Sequence, residues 1–403
     1  MEIFGSHDER TIQQLARCAA AEEGSLAVLC ADGHVGYSMP IGGVVGYEHH
    51  VSPSGVGYDI ACGNLAVRTM LKAEDVGPGE MAQLADEIQQ RISFGIGRKN
   101  NEPVESSVID QIARSPVPEQ RALVQLAASQ LGTVGSGNHY VDVLEDRDGR
   151  LWIGVHFGSR GFGHKTATGF MNIAQGRAFN DGKGEGEMDA PPLLLSIHQP
   201  SGQDYIEAMK LAGAYAYAGR QAVVHKVLEL LGTEADFAVH NHHNFAWAEH
   251  HQGRDLWVVR KGATPAFPGQ YGFVGGSMGD ISVILQGVGS LTSENALYST
   301  VHGAGRVMSR TQAAGKQKWV RGEDGRKRPQ RVAKGLVDFE AEKAKLARQG
   351  VILRGAGADE APPVYRPLRS VLDAHEGTIK IVHTLWPRIV VMAGGDEYDP
   401  YKD

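Results

Sequence analysis

Histidine and cysteine recur along this chain inside short islands of glycine and asparagine, and that recurrence constrains its fold more than any other feature. The islands are Asp59-Ile60-Ala61-Cys62-Gly63, Gly135-Ser136-Gly137-Asn138-His139, Val155-His156-Phe157-Gly158-Ser159-Arg160-Gly161, His240-Asn241-His242-His243-Asn244 and Val301-His302-Gly303-Ala304-Gly305-Arg306. Glycine lacks a Cβ and accepts backbone angles that other residues resist. Such stretches suit tight turns in which another group can come close to an imidazole or a thiol. The 52 glycines among 403 residues are close to twice the usual frequency of roughly 7%. They gather around His, Asn and Ser instead of forming a low-complexity tract, as expected around a polar site. The islands are read as converging on one metal centre, with His302 doing chemistry beside it.

A chain of this length buries about three quarters of its unfolded surface, so a large core is available. The formal net charge of −7 argues against a uniformly basic nucleic-acid binder. A local basic face remains possible in Lys316 to Lys334, where Trp319 could stack on a base or simply pack. A solvated loop or helix face is the plainer reading of that run. The three cysteines, Cys18, Cys30 and Cys62, form no CxxC pair, which excludes a disulfide framework or a thiolate-only zinc site. With no signal segment and no run of 18 apolar residues, a cytoplasmic location is expected.

Periodicity predicts a helix over 8–23 with Thr11 as its N-cap, a strand over 25–30 and another over 41–47. Further strands are expected over 64–70, 151–157, 236–240, 255–261, 281–286 and 389–392. Helices are expected over 74–91, 118–131 and 203–231, the last being the longest helical pattern in the chain. Helices and strands mix without strict βαβ alternation. The reading is a single compact α+β domain over 1–403, with mixed β-sheets surrounded by helices, a central metal cleft and an acidic tail at 395–403. Residues 182–189 and 322–330 read as surface loops.

Asp59 and Cys62 stand three apart, which lets both side chains leave one side of a turn. With His139, His156 and His243 they make a set of carboxylate, thiolate and imidazoles, better suited to manganese, zinc or iron than to magnesium. Taken singly, each histidine reads as a hydrogen-bonded structural residue. Asn138, Ser159-Arg160-Gly161, Arg260-Lys261-Gly262 and Gly276-Ser277-Met278-Gly279 each offer donors that suit a phosphate. Each alone could be a turn or an ion pair; together, beside a metal set, they favour a phosphate-handling enzyme.

At this point the residues match a family. ADGHVGYSMPIGG, GYDIACG, GSGNHY, VHFGSRGFGH, HHN, RKGA, GQYG with GSMG, and HGAGRVMSR follow one another in order over nearly the whole chain. This series resembles the RtcB family of RNA-splicing ligases. The resemblance implies joining of an RNA 3′-phosphate or 2′,3′-cyclic phosphate end to a 5′-hydroxyl end, in RNA repair or tRNA splicing, with GTP and two Mn2+ ions. It implies that Cys62 bridges both ions, with Asp59 and His139 completing one site and His156 and His243 the other. His302 would attack the α-phosphate of GTP to give a histidine–GMP intermediate, with Asp32 orienting it. Asn138, Asp142, Arg160, Ser277, Tyr365 and the stretch His302, Gly303, Ala304, Gly305 and Arg306 would hold the nucleotide. A monomer is expected, with RNA as substrate and an archease-type activator as a further partner.

Two positions depart from the family pattern. Ala393 stands where members usually carry a lysine near the terminus, and Asp142 stands for a glutamate; both family residues contact guanine. Metal and phosphate groups are thus kept while base-reading groups change, as expected of a divergent paralogue. The alternative activity is a metal-dependent RNA 2′,3′-cyclic phosphodiesterase without sealing, for which the His302 island would be superfluous. A non-catalytic RNA-binding relative would have lost a ligand or the nucleophile, and every one of them is present.

Overall fold

The computed structural model describes residues 1–182, 187–321 and 327–395. Two sheets carry the fold. The larger runs in the order Tyr271–Val274, Ser282–Gly287, Ile379–Gly394, Tyr140–Asp146, Arg150–Phe157, Gly63–Lys72 and Ala235–His242, with Ile352–Ala356 added in parallel along Ile379–Gly394. The smaller runs Glu2–Ile3, Leu26–His34, Ile41–Tyr47, Arg254–Lys261, Asn244–His251. Pairing within the larger sheet is otherwise antiparallel. The architecture is α+β, as expected.

Side-chain alternation explains where the site lies. Along Arg150–Phe157, residues Leu151, Ile153, Val155 and Phe157 enter one apolar core with Val141 and Val143 of the neighbouring strand. Successive side chains of a strand point to opposite faces. His156, Tyr140 and Asp142 are therefore turned to the other face, where they line a cavity. The apolar face is covered by two helices. Pro78–Arg91 contributes Met81, Leu84, Ala85 and Ile88 at helical spacing, and Pro200–Leu231 contributes Val223, Val224 and Val227. Each such buried side chain contributes roughly 1.5–3 kcal/mol. One face of the sheet is thus held rigid while the other is left for chemistry.

Several expectations are corrected. The first helix, Glu9–Ala20, is capped by Asp8, whose carboxylate accepts the Thr11 backbone N–H; Thr11 is inside the helix and buried. The 118–131 pattern breaks into Pro118–Arg121 and Val124–Gln130. The short terminal strand extends over Ile379–Gly394 and forms a central member of the sheet. The basic run is neither plain loop nor helix, because Gln317–Arg321 pairs antiparallel with Lys327–Arg331. The side chain of Trp319, residues 183–186 and 322–326 of the two expected loops, and residues 396–403 of the tail lie outside the described residues. All three cysteines are buried and free. Among the described residues no helix is long and apolar enough to cross a membrane.

Candidate active site

The Asp59–Cys62 segment is a turn closed by Cys62 N–H donating to Asp59 O at 3.1 Å. Ala61 inside it has φ of 60°, in the left-handed region that few non-glycine residues occupy. Its N–H is tied to Asn244 O at 2.7 Å. The strand Gly63–Lys72 starts directly after, between Arg150–Phe157 and Ala235–His242. Three strand ends therefore deliver Cys62, His156 and His243 to one point.

There, Cys62 Sγ lies 3.2 Å from His156 Nε2 and 3.6 Å from His139 Nε2. His139 Nε2 is 3.1 Å from Asp59 Oδ2, and His243 Nε2 is 3.1 Å from His156 Nε2. The donor atoms of Cys62, His139 and His156 all fall within 4.8 Å of one another, and all three residues are buried. His243 Nδ1 donates to Asn244 Oδ1 at 3.2 Å, the same oxygen that accepts Gly262 N–H at 2.7 Å. A neutral imidazole with one nitrogen donating offers a lone pair on the other, so His243 Nε2 turns a bare lone pair toward the cluster. Burial, then the charges of neighbouring imidazoles, hold His156 and His243 well below the usual histidine range. Burial and the adjacent Asp59 carboxylate push the Cys62 thiol well above its own. Burial raises Asp59 too, but the hydrogen bond and charge of His139 prevail and bring it down to about 2. Unprotonated imidazoles facing a thiol and a carboxylate fit a bound cation, which turns a coordinating thiol into thiolate.

Glycine makes the close approach possible at one decisive position. A Cβ on Gly158 would sit 2.1 Å from Asp59 Oδ1. Gly158→Ala is expected to push that carboxylate aside and to weaken the uptake of a divalent probe cation such as Mn2+ by about 10-fold or more while unfolding remains cooperative. Calorimetric titration with Mn2+ checks this; unchanged affinity would show that Asp59 is not needed there.

His302 follows the short strand Ser299–Val301. Its ring centroid is 4.8 Å from that of His243, and its Nδ1 is 2.6 Å from Asp32 Oδ2. The backbone N–H groups of His302 and Gly303 donate to the same oxygen at 3.0 and 3.3 Å. Asp32 is fully buried, which raises its pKa, but the charge and hydrogen bonds of His302 outweigh burial and leave it lowered from 3.8. A carboxyl lowered on folding stabilises fully above its unfolded pKa, and that contribution is lost as pH falls through the folded value. The melting temperatures of wild type and Asp32→Asn are therefore expected to differ at neutral pH and to converge below about pH 4. Parallel curves would show that the carboxylate is not held ionised by His302.

A cavity of about 280 Å³ opens over the cluster, walled by both sheets. Of the residues singled out in the sequence, Asp59, Cys62, Asn138, His139, Asp142, His156, His243, Ser277, His302, Gly303, Ala304, Gly305, Arg306 and Tyr365 line it. Asp32 stands behind His302. Arg160 is not part of the wall; its guanidinium donates to Thr133 Oγ1 and Gly95 O at 3.3 and 3.1 Å. Asp142 is buried with Oδ1 lacking a protein partner, and burial drives its pKa well upward. Gly305, at φ of 73°, lets the chain pass against Asp32 O, which a Cβ would meet at 2.4 Å. Arg306 lies over the Tyr365 ring at 5.3 Å and donates to Asp359 O at 2.8 Å.

The cavity also contains residues that the sequence reading passed over. His34 sits in its wall with Nδ1 3.0 Å from Asp32 O. Glu360 pairs with Arg306, Arg310 and the Tyr365 hydroxyl. Asn244 fixes the His243 tautomer. His34 and Asn244 belong to islands already noted, so their neighbours were the signal; Glu360 lies in no such island.

A family model described as "tRNA-splicing ligase RtcB" matches residues 14–120 and 111–393. The chain belongs to the RtcB family. Relatives include the RNA-splicing ligase RtcB of Escherichia coli, 30% identical over 385 residues that cover 88% of this chain and 86% of the relative. The tRNA-splicing ligase RtcB of Archaeoglobus fulgidus is 32% identical over 462 residues, covering 94% and 90%. The RNA-splicing ligase RtcB of Mycobacterium tuberculosis is 32% identical over 421 residues, covering 85% and 90%. The islands that make up the RtcB resemblance are the segments that build this cavity, although the eight-stranded sheet that supports it lies almost wholly between them.

Proposed function

We propose that this RtcB-family chain is an RNA ligase, acting as one domain over 1–403, that joins RNA 3′-phosphate or 2′,3′-cyclic phosphate ends to 5′-hydroxyl ends. The observation that carries the reading is a single imidazole, held by a buried carboxylate, next to a buried cluster of thiol and imidazoles with the half-buried Asp59 carboxylate at its edge. Cys62 would be shared by two Mn2+ ions, one with Asp59 and His139 and the other with His156 and His243. Bound there, the ions would neutralise phosphate charge and lower the pKa of reacting oxygens.

The residues of the chain would act as follows. Asp32 takes the Nδ1 side of His302, leaving Nε2 as the nucleophile. Nε2 attacks the α-phosphorus of GTP, and pyrophosphate leaves as the phosphorus–nitrogen bond of histidine–GMP forms. A cyclic end is first opened by water, which breaks the bond to the 2′-oxygen; a terminal oxygen of the RNA 3′-phosphate then displaces the imidazole and takes the GMP. The 5′-hydroxyl of the second end attacks the activated 3′-phosphorus, loses its proton and releases GMP. Asn138, Arg306, Ser277 and the backbone of Gly303 to Gly305 would hold phosphates, and Tyr365 and Asp142 the nucleoside; Arg160 would act from behind Asp59. An unpartnered carboxyl oxygen on Asp142 asks for a hydrogen-bond donor on the base.

Incubation with a panel of α-labelled nucleotides and Mn2+ tests this. An acid-labile covalent adduct is expected with GTP. No adduct with any nucleotide, together with opening of 2′,3′-cyclic ends, would favour the phosphodiesterase.

A further inference from the structure

Behind the cluster, on the side away from the cavity, Arg220 is fully buried. It comes from the middle of the helix Pro200–Leu231, which the reaction outlined above does not use. Its Nη1 donates to Ala61 O at 3.0 Å and to Phe157 O at 2.6 Å. Its Nη2 lies 3.0 Å from His242 Nδ1, and its Nε donates to His240 Nε2 at 2.8 Å. Ala61 precedes Cys62, Phe157 follows His156, and His242 precedes His243. One planar guanidinium thus touches the backbone or side chain adjoining three of the cluster's residues, on two strands and on the turn that leads into the strand between them.

Helix and strand interlock around it. Tyr217 lies one turn before Arg220 and shares its helix face; its ring lies 4.1 Å from His240 and 4.0 Å from His242, centroid to centroid. His240 and His242, two apart, share a strand face and look toward the helix. The carbonyl that Arg220 holds belongs to Ala61, the residue with the left-handed backbone. Among the described residues no carboxylate forms an ion pair with Arg220. A buried guanidinium without a carboxylate is expensive, so its retention in the core needs a reason beyond packing.

We propose that Arg220 is a positioning residue, a clamp that sets the spacing of Cys62, His156 and His243 so that their donor atoms meet at one cation. The inference rests on the reading that those residues hold a divalent metal. Lysine cannot replace the fork, because an ammonium cannot span three chain segments with a fixed plane of donors.

Calorimetric titration of the full chain with Mn2+ tests the clamp in Arg220→Lys and Arg220→Met, with Leu84→Ala, from the apolar core that this helix also covers, as a destabilised control. Both Arg220 variants are expected to bind Mn2+ about 10- to 100-fold more weakly than wild type. Leu84→Ala is expected to lower the melting temperature without changing affinity. Should Arg220→Met not fold, Arg220→Lys decides alone. Wild-type affinity in a folded Arg220 variant, or an equal loss in Leu84→Ala, would overturn the clamp while leaving the metal site standing. A wild-type chain that takes up no Mn2+ would overturn both.

Discussion

His302→Ala, incubated with α-labelled GTP and Mn2+, is expected to carry no label, with ligation falling by on the order of 10⁴-fold or more. The same protein is expected to melt cooperatively and to bind Mn2+ much as wild type does, since His302 meets the cluster by a ring contact with His243, centroids 4.8 Å apart, and is not one of the residues proposed to hold metal. Asp32→Asn should follow it closely. An amide at 2.6 Å from Nδ1 cannot balance a positive imidazole, and it favours the wrong tautomer. The order of effects is informative: in the proposed reaction His302→Ala would remove the nucleophile, whereas Asp32→Asn would only misdirect it. A labelled His302→Ala chain would place the nucleophile elsewhere and end the proposed reaction.

Cys62→Ser is the second large effect. One sulfur faces His156 at 3.2 Å and His139 at 3.6 Å, so its loss reaches both halves of the cluster. Manganese titration followed by electron paramagnetic resonance is expected to count two ions on wild type and no tight ion on Cys62→Ser. The loss of affinity should exceed the roughly 10- to 100-fold typical of an outer-shell partner. His139→Ala and His243→Ala are each expected to lose a single ion, because the first stands with Asp59 and the second with His156. Two ions bound to Cys62→Ser at wild-type strength would remove the sulfur from the site. Cys18 and Cys30 are buried away from the cavity and make natural controls.

Much of the fold was legible because strand and core patterns are local. Ile41–Tyr47 has the bounds its composition predicts, and the helix Pro200–Leu231 begins only three residues before the pattern does. Other elements escaped for physical reasons. The helix Arg160–Ala174 carries three glycines and two threonines, poor helix formers that tertiary packing overrides. Gly163, for instance, is demanded by the Ser159 hydroxyl, which a Cβ would overlap. The strand Tyr140–Asp146 alternates a buried apolar face with Tyr140 and Asp142, and those polar residues masked its periodicity. The long final strand contains Pro387 and a register shift beside it, which cut the apolar run short in the sequence.

By itself, then, the sequence determined the chemistry on offer: which thiol, carboxylates and imidazoles are present, and that glycine leaves room around them. Order and spacing along the chain carry that information, since side-chain identity needs no third dimension. The family resemblance picked His243 from His240, His242 and His243, but only the tertiary structure decided what the other two hold. A strand sends alternate residues to opposite faces, so His240 and His242 turn to Arg220 while His243 faces the cavity. It also decided that Arg160 stands behind the wall, that Glu360 enters it, and that Arg220 meets three separate chain segments at once. Such contacts join residues tens to hundreds of positions apart, and no local pattern records them.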